Sequence, residues 1–379
     1  MSRSQVSVVR CPSYDTARVK ASVQELLAPL GGVQSFVSPG QTVLIKPNLI
    51  HGTPPERGAT THPEVLRAVI EEVHGAGGRP VVGESPGYES FTTAARKSGL
   101  LTVIEELDVP IVPFDTWTEV RLGPGHLVPS LPIAGPVVAA DVVISLPKLK
   151  SHGLVVYTGC VKNMFGVICG TQKAQYHLRF QDREAFSRLL AEVYSVARPT
   201  LSILDGIIGM DGNGPRNGDP APLGIMLAGA DGVAVDAVAC RIVGIDPLES
   251  PPIRIAAQMG LGTASLRQID LAGPPIEELK TTGFQAPRSM RPSIRQRAMS
   301  GRAGIILRNL FTTRPTVHPG GCRGCTICAR ACPAQAIEIR DGKAQMDYSK
   351  CLRCYCCQEV CEYGAIRLAT PPLARLLHR

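Results

Sequence analysis

Between Val6 and about Ile269, two rhythms of apolar positions alternate along the chain. Short runs rich in Val, Ile and Leu at 42–45, 80–83, 141–146, 201–204 and 225–228 predict strands, and three- to four-residue spacing at 64–74, 183–197 and 231–243 predicts helices. Thr61 and Glu64 stand at capping-box spacing before the first of these helices, Gly75, Gly77 and Gly78 close it, and Asp231 is placed to cap the last. Strand–helix alternation of this kind builds βαβ units, so the expected fold is α/β with a large, mostly parallel sheet. The rhythm breaks after residue 286. Residues 287–316 read as a linker carrying an amphipathic helix with Ile294, Met299, Ile305, Ile306, Leu310 and Phe311 on its apolar side, and residues 317–370 as a small α+β unit.

Composition adds that a chain of 379 residues, 44% hydrophobic and 19% charged, has enough apolar surface for more than one core. Charge is localised. The window 279–337 holds ten Lys or Arg residues and no Asp or Glu, so a chain of net charge +8 is a near-neutral body with one basic segment. The longest apolar stretch, 137–147, contains Asp141 and falls far short of the roughly 20 residues that cross a bilayer. With no basic leader followed by an apolar run at the start, the expected compartment is the cytoplasm.

Cysteine is localised too: nine of the 13 lie between Cys322 and Cys361. Cys322, Cys325, Cys328 and Cys332 follow CxxCxxCxxxC, and Cys351, Cys354, Cys357 and Cys361 repeat it. Three closely spaced thiolates wrap three corners of a cubane while the fourth reaches the other cluster, so the spacing predicts two [4Fe-4S] clusters. One is expected on Cys322, Cys325, Cys328 and Cys361, the other on Cys351, Cys354, Cys357 and Cys332. Zinc knuckles use four ligands in paired CxxC units and do not show this doubled pattern. Cys356 is a ninth thiol that the repeat leaves out. This stretch resembles bacterial-type two-cluster ferredoxins, with Glu362 in place of the usual Pro after the second motif.

In the larger domain, polar residues collect where apolar runs stop: Lys46 and Asn48, Glu84, Lys148 with Lys150 and His152, and Asp205. In an open parallel sheet such ends share one lip, where ligands bind. The Gly-rich stretch 157–170 adds Lys162 and Asn163. Lys148, Lys162, His152 and Glu84 are the expected catalytic residues, and Lys46, Asn48, Lys150, Asn163 and Asp205 the expected substrate contacts. Each of these also has a plainer explanation as a solvated strand end or a cap, and Cys160 and Cys169 fit core packing better than redox chemistry. The loop 211–218 lacks GxGxxG spacing, so a dinucleotide site is not indicated.

The segments IKPNL (45–49), VGESPG (82–87), SLPKLKSHG (145–153), GCVKNMFGV (159–167), DGIIGMDGNGP (205–215) and GADGVAVDAVA (229–239) resemble the family catalogued as domain of unknown function 362, many members of which carry a C-terminal ferredoxin domain. The resemblance implies an iron–sulfur protein with a redox role and names no substrate. Two functions are expected from the whole. The first is a reductase that takes electrons from a reduced ferredoxin or flavodoxin-type donor and passes them through both clusters to a small, anionic substrate. The second is an electron-transfer or maturation protein that docks a partner enzyme and has no substrate of its own. Nucleic acid binding has only the Arg run in its favour, with 4% aromatic residues against it. The same run would allow peripheral membrane contact.

Overall fold

The computed structural model describes residues 3–87, 89–170, 172–180, 182–285, 310 and 312–371. The amphipathic helix expected within 287–316 falls almost wholly outside them.

Strands β1 (Ser4–Arg10), β2 (Thr42–Pro47) and β3 (Arg79–Val82) are followed by a separate hairpin of β4 (Trp117–Arg121) and β5 (Ser130–Ala134). Then come β6 (Val142–Leu146), β7 (Lys148–His152), β8 (Val156–Thr158), β9 (Leu201–Asp211), β10 (Asp219–Gly229) and β11 (Ile269–Ala272). Nine of these make one sheet in the order β11-β1-β10-β9-β6-β2-β3, with β7 and β8 branching from β9. It is mixed but mostly parallel: β10 runs antiparallel to β1 and β9, β8 antiparallel to β7, and the remaining pairs are parallel.

β2 and β6 are buried almost throughout, as a central strand covered on both faces must be. Leu44 joins one core while its neighbours Val43 and Ile45 join another, the period-2 signature of two helical layers on opposite faces. Helices Thr16–Leu27 and Pro63–Gly75 cover one face; Arg183–Ala197, Gly232–Ile242 and Pro251–Gln258 cover the other.

Three local expectations change. The strand expected at 201–204 runs on to Asp211, because its far half finds partners in β10 and β7; Asp205 is therefore mid-strand and fully buried. Lys148 to His152 form a strand, not a lip. The first helix is capped by His62, whose Nδ1 accepts from the Glu64 amide, whereas Thr61 Oγ1 turns away to donate to the Leu146 carbonyl.

Beyond residue 313, β12 (Arg314–Val317) pairs with β15 (Ile366–Ala369), and β13 (Ile337–Arg340) with β14 (Lys343–Met346), around a small core of cysteines and aliphatic residues. This is a ferredoxin-type α+β unit, and its first strand begins inside the stretch assigned to the linker. The tip of the β9–β10 hairpin holds it: Arg216 donates to the Val360 carbonyl (3.1 Å), Asn217 to those of Gln358 and Cys361 (3.1 and 3.0 Å), and Gln358 donates back to Asn213 and Gly214 (2.9 and 3.2 Å).

Asp231 caps Gly232–Ile242 by accepting from the Val233 and Ala234 amides, and its other oxygen accepts from Thr263 and Ser4. Asp231→Ala is expected to cost about 1–2 kcal/mol, read as a lower denaturant midpoint by far-UV circular dichroism with iron content unchanged.

Candidate functional site

The residues expected at the strand ends are all present in the interior, but they form two groups. In the first, the Lys46 ammonium is ion-paired with Glu84 and lies 3.4 Å from Asn163 Oδ1. Asn163 Oδ1 also accepts from Asn48 Nδ2 (3.0 Å), and its Nδ2 donates to Ser145 Oγ (2.9 Å). Asn48 Oδ1 in turn accepts from Lys150 (2.6 Å), which also donates to the Ala59 carbonyl (2.7 Å). In the second group, Lys148 donates to Asp205 Oδ2 and to the Tyr14 hydroxyl (both 2.7 Å), Tyr14 donates to Asp205 Oδ1 (2.8 Å), and the His62 ring stacks on Tyr14.

All three lysines are fully buried, and burial pushes each ammonium below its ordinary pKa. Glu84 and Asp205 oppose that for Lys46 and Lys148; Lys150, with two neutral acceptors, is pushed furthest. Gly166 is required beside Glu84, because a Cβ there would sit 2.0 Å from its Oε1.

A cavity of about 100 Å³ lies between the first group and the cysteine unit. Glu84, Asn48, Lys162 and Asn163 line it, while Lys46 and Lys150 stand behind Glu84 and Asn48. Lys148 and Asp205, expected as a catalytic residue and a substrate contact, are not among its lining residues, and their ion pair ties β7 to β9. Across the cavity stand Cys356, Glu359 and Val360, which belong to the second cysteine motif. His152 reaches the same seam: its Nδ1 accepts from the Leu154 amide, and its Nε2 lies 3.2 Å from Glu359 Oε1. Burial, then Lys162, lowers His152 to about 4, so at pH 7 it is neutral with its proton on Nε2. Burial raises the Glu359 carboxyl, but His152 and Lys162 outweigh it and hold it low.

Sequence reasoning missed Lys173, His177, Thr158 and Glu359, all of which line the cavity. Lys173 and His177 lie four apart on helix Gln172–Arg179 and so share a face, a spacing that could have marked them. Lys173 donates to the Ser85 carbonyl, and burial lowers it to about 8 against the pull of Glu84. His177, lowered to about 4 by burial, packs against Phe186 and Phe165. Cys160 is a core residue whose thiol burial pushes well up. Cys169 is buried as well.

In the small unit, Cys322, Cys325, Cys328 and Cys361 line one pocket with Ile339 and Ile366. Burial raises the Cys328 thiol to about 11, and Cys361, Cys325 and Cys322 beside it add to the rise. Around Cys357, burial acts first, then Cys354, Cys351 and Cys332. Cys322 and Cys332 Sγ accept from the amides of Ala344 (3.4 Å) and Ala336 (3.2 Å), the pattern that stabilises thiolates. Among the described residues, no three His, Cys, Asp or Glu side chains gather on a single-ion site. Four thiols around one pocket with aliphatic neighbours, and three more close enough to act on Cys357, fit iron–sulfur chemistry, in which each thiolate meets its own iron.

Fold and thiols together define an iron–sulfur protein with an electron-transfer unit. Residues 43–241 match the family described as domain of unknown function (DUF362), and residues 321–365 match a 4Fe-4S dicluster domain. The chain belongs to the DUF362 family. It is 38% identical over 298 residues to a thylakoid-associated protein of Synechocystis sp., covering 76% of this chain and 89% of that one. An NADH-quinone oxidoreductase subunit I of Pelobacter propionicus is 35% identical over 75 residues, 16% of this chain and 40% of that subunit. Among solved structures, the lactate racemase apoprotein of Thermoanaerobacterium thermosaccharolyticum superimposes with a TM-score of 0.41 at 13% identity, over 61% of this chain and 55% of that one.

Lys46→Met leaves the Glu84 carboxylate buried without its cation and is expected to cost about 3–5 kcal/mol. Adding Glu84→Gln to that variant should restore most of the thermal midpoint; a double variant no more stable than Lys46→Met would show that the pair is not coupled.

Proposed function

We propose that this protein is an iron–sulfur oxidoreductase that reduces a small anionic substrate bound in the cavity between the α/β domain and the second cysteine motif. The observation that supports the reading is the composite wall: Lys162 and Lys173 come from one unit, and Cys356, Glu359 and Val360 from the helical turn that carries Cys357. Two [4Fe-4S] clusters, one on Cys322, Cys325, Cys328 and Cys361 and the other on Cys351, Cys354, Cys357 and Cys332, supply single electrons when bound.

The chain's own residues do the rest. Lys162 and Lys173 bind and orient the anion and stabilise negative charge as it develops. Lys46 opposes the burial that raises the Glu84 carboxyl, and Asn163 and Asn48 fix the floor between them. His152, neutral at pH 7, keeps its Nε2–H beside Glu359 at the seam, and the Lys173 ammonium, lowered by burial to about 8, holds the proton available as charge builds. The phenyl ring of Phe165 and the side chain of Val360 exclude water from part of the wall. The electron donor is a reduced ferredoxin or flavodoxin-type carrier, and the setting is cytoplasmic. Among the described residues, no helix is long and apolar enough to cross a membrane, and the name of the Synechocystis relative supports peripheral contact with one.

A second reading, an electron-transfer or maturation protein that docks a partner, draws on the acid-free basic segment at 288–314. The two readings separate on turnover. Protein purified without oxygen should hold about eight irons and give a magnetically coupled signal on reduction. Lys162→Met should retain both, yet lower kcat/KM for carboxylate-dependent oxidation of reduced methyl viologen by about 100-fold. If the cluster-loaded wild type does not oxidise viologen with any small carboxylate as acceptor but does pass electrons to an acceptor protein, the docking reading stands instead.

Lys173 is an ammonium below about pH 8 and neutral above it. Apparent affinity for the anion should therefore fall as pH rises through 8, and Lys173→Met should remove that limb of the kcat/KM profile.

A further inference from the structure

Three features of the cavity limit what can occupy it. The first is charge. Lys162 makes no hydrogen bond or ion pair among the described residues, though it lies close enough to influence Lys46, Lys150, His152, His177 and Glu359. At the cavity wall the ammonium groups of Lys162 and Lys173 face the carboxylates of Glu84 and Glu359, and Lys46 stands behind Glu84 as its ion-pair partner, which leaves one unit of positive charge. Lys150 does not enter this balance, since it stands behind Asn48 on two neutral acceptors and burial pushes its ammonium well below the ordinary value. A singly charged anion completes the balance; a dianion would overshoot it while facing two carboxylates at close range.

The second is an unused polar atom. Thr158 is 1% exposed, lines the cavity, and its Oγ1 has no hydrogen-bond partner among the described residues. Of the seven buried hydroxyls without a partner among the described residues, Thr158 carries the one that belongs to a residue lining the cavity, which marks where a bound group is expected to supply a partner. Its position follows from the fold: Thr158 stands opposite Lys150 in the β7–β8 ribbon, and residues directly opposite project on one face, the face shared with His152. The third is size. About 100 Å³ accommodates a handful of heavy atoms.

We propose that the cavity binds a short monocarboxylate carrying a second oxygen, carbonyl or hydroxyl, with Lys162 and Lys173 on the carboxylate and Thr158 Oγ1 hydrogen-bonded to the second oxygen. This rests on the reading of the cavity as a substrate site and adds the ligand class and a specificity-determining residue. Thr158 donates to a carbonyl or accepts from a hydroxyl, and its hydroxyl is left unpaired by an acid that lacks the second oxygen.

Calorimetric titration of the intact, cluster-loaded protein tests it without turnover, using 2-oxobutyrate, butyrate and malonate as probes. The expected order is 2-oxobutyrate tighter than butyrate by about tenfold, the effect of one unmade buried hydrogen bond, with malonate weaker than 2-oxobutyrate. Thr158→Val, which keeps the shape, should make 2-oxobutyrate and butyrate bind alike. Lys162→Met should weaken both by at least about tenfold, with iron content and visible absorbance unchanged to show that the fold persists. Equal affinities in the wild type, malonate binding tightest, an oxo-acid preference that survives Thr158→Val, or no binding of any probe overturns the inference. Binding in the expected order with no viologen oxidation by any 2-oxo acid would leave the ligand assignment standing and overturn the reductase reading alone.

Discussion

Three lysine ammonium groups with no solvent exposure, Lys46, Lys148 and Lys150, set the terms for the rest of the large domain. Taking an ammonium out of water costs several kcal/mol even after relaxation, so each must be met by geometry that the fold cannot vary freely. Lys46 requires Glu84 at the end of β3, and Glu84 requires a bare Gly166 beside it. Lys148 requires Asp205, which pulls β9 past its expected end and makes the long hairpin with β10. Lys150 is met by an amide, and that fixes a chain: Asn48 accepts from Lys150 and donates to Asn163, which donates to Ser145. Each amide orientation is settled by its neighbours, so the floor of the cavity has one arrangement.

What the protein satisfies internally marks, by contrast, what it does not. Lys46, Lys148 and Lys150 have protein partners; among the described residues Lys162 has none, and Thr158 Oγ1 has none. Among the described residues, Lys173 donates to one carbonyl. These are the groups on the open side of the same construction, where the helical layer gives way to the cysteine unit. A site made this way is preorganised, because its neighbours are already fixed by the cost of leaving any of them unpaired.

The α/β class, the helices at 183–197 and 231–243 with the Asp231 cap, and the doubled cysteine spacing were all legible in the chain, because each rests on a local period or a fixed ligand spacing. The convergence of Lys46, Asn48 and Glu84 was legible too, since parallel strands end on one side of a sheet; Asn163 joins them from the helical turn Cys160–Asn163. The division of the lysines into two groups was not. Whether Lys148 faces Asp205 or the cavity depends on β7 joining the far half of β9, a pairing between segments about 60 residues apart with Gly206 and Gly209 disguising the strand. Lys173 and His177 were hidden by a helix of low apolar content, and Glu359 by lying within the second cysteine motif, where its role appears only once two units touch. The departure at Glu362 acquires a meaning in the same way: its carboxylate lies 3.5 Å from both Lys97 and Arg216 of the large domain.

Which interactions align the two units can be decided by magnitude. The Glu362 pairs are long and one-third exposed on the carboxylate side, the class of ion pair that contributes roughly 0–1 kcal/mol. Gln358 is fully buried, donates into the hairpin tip at Asn213 and Gly214, and its carbonyl, like that of Cys361, is taken by Asn217. Losing either partner there strands a buried polar group, at about 1–3 kcal/mol each. The hairpin therefore sets the alignment, and the surface charges only favour the approach. It grips the backbone between Cys357 and Cys361, one residue from each proposed ligand set, while the same turn presents Glu359 and Val360 to the cavity. The extension of β9 that Lys148 demands at one end thus holds, at the other, the wall through which electrons would have to arrive.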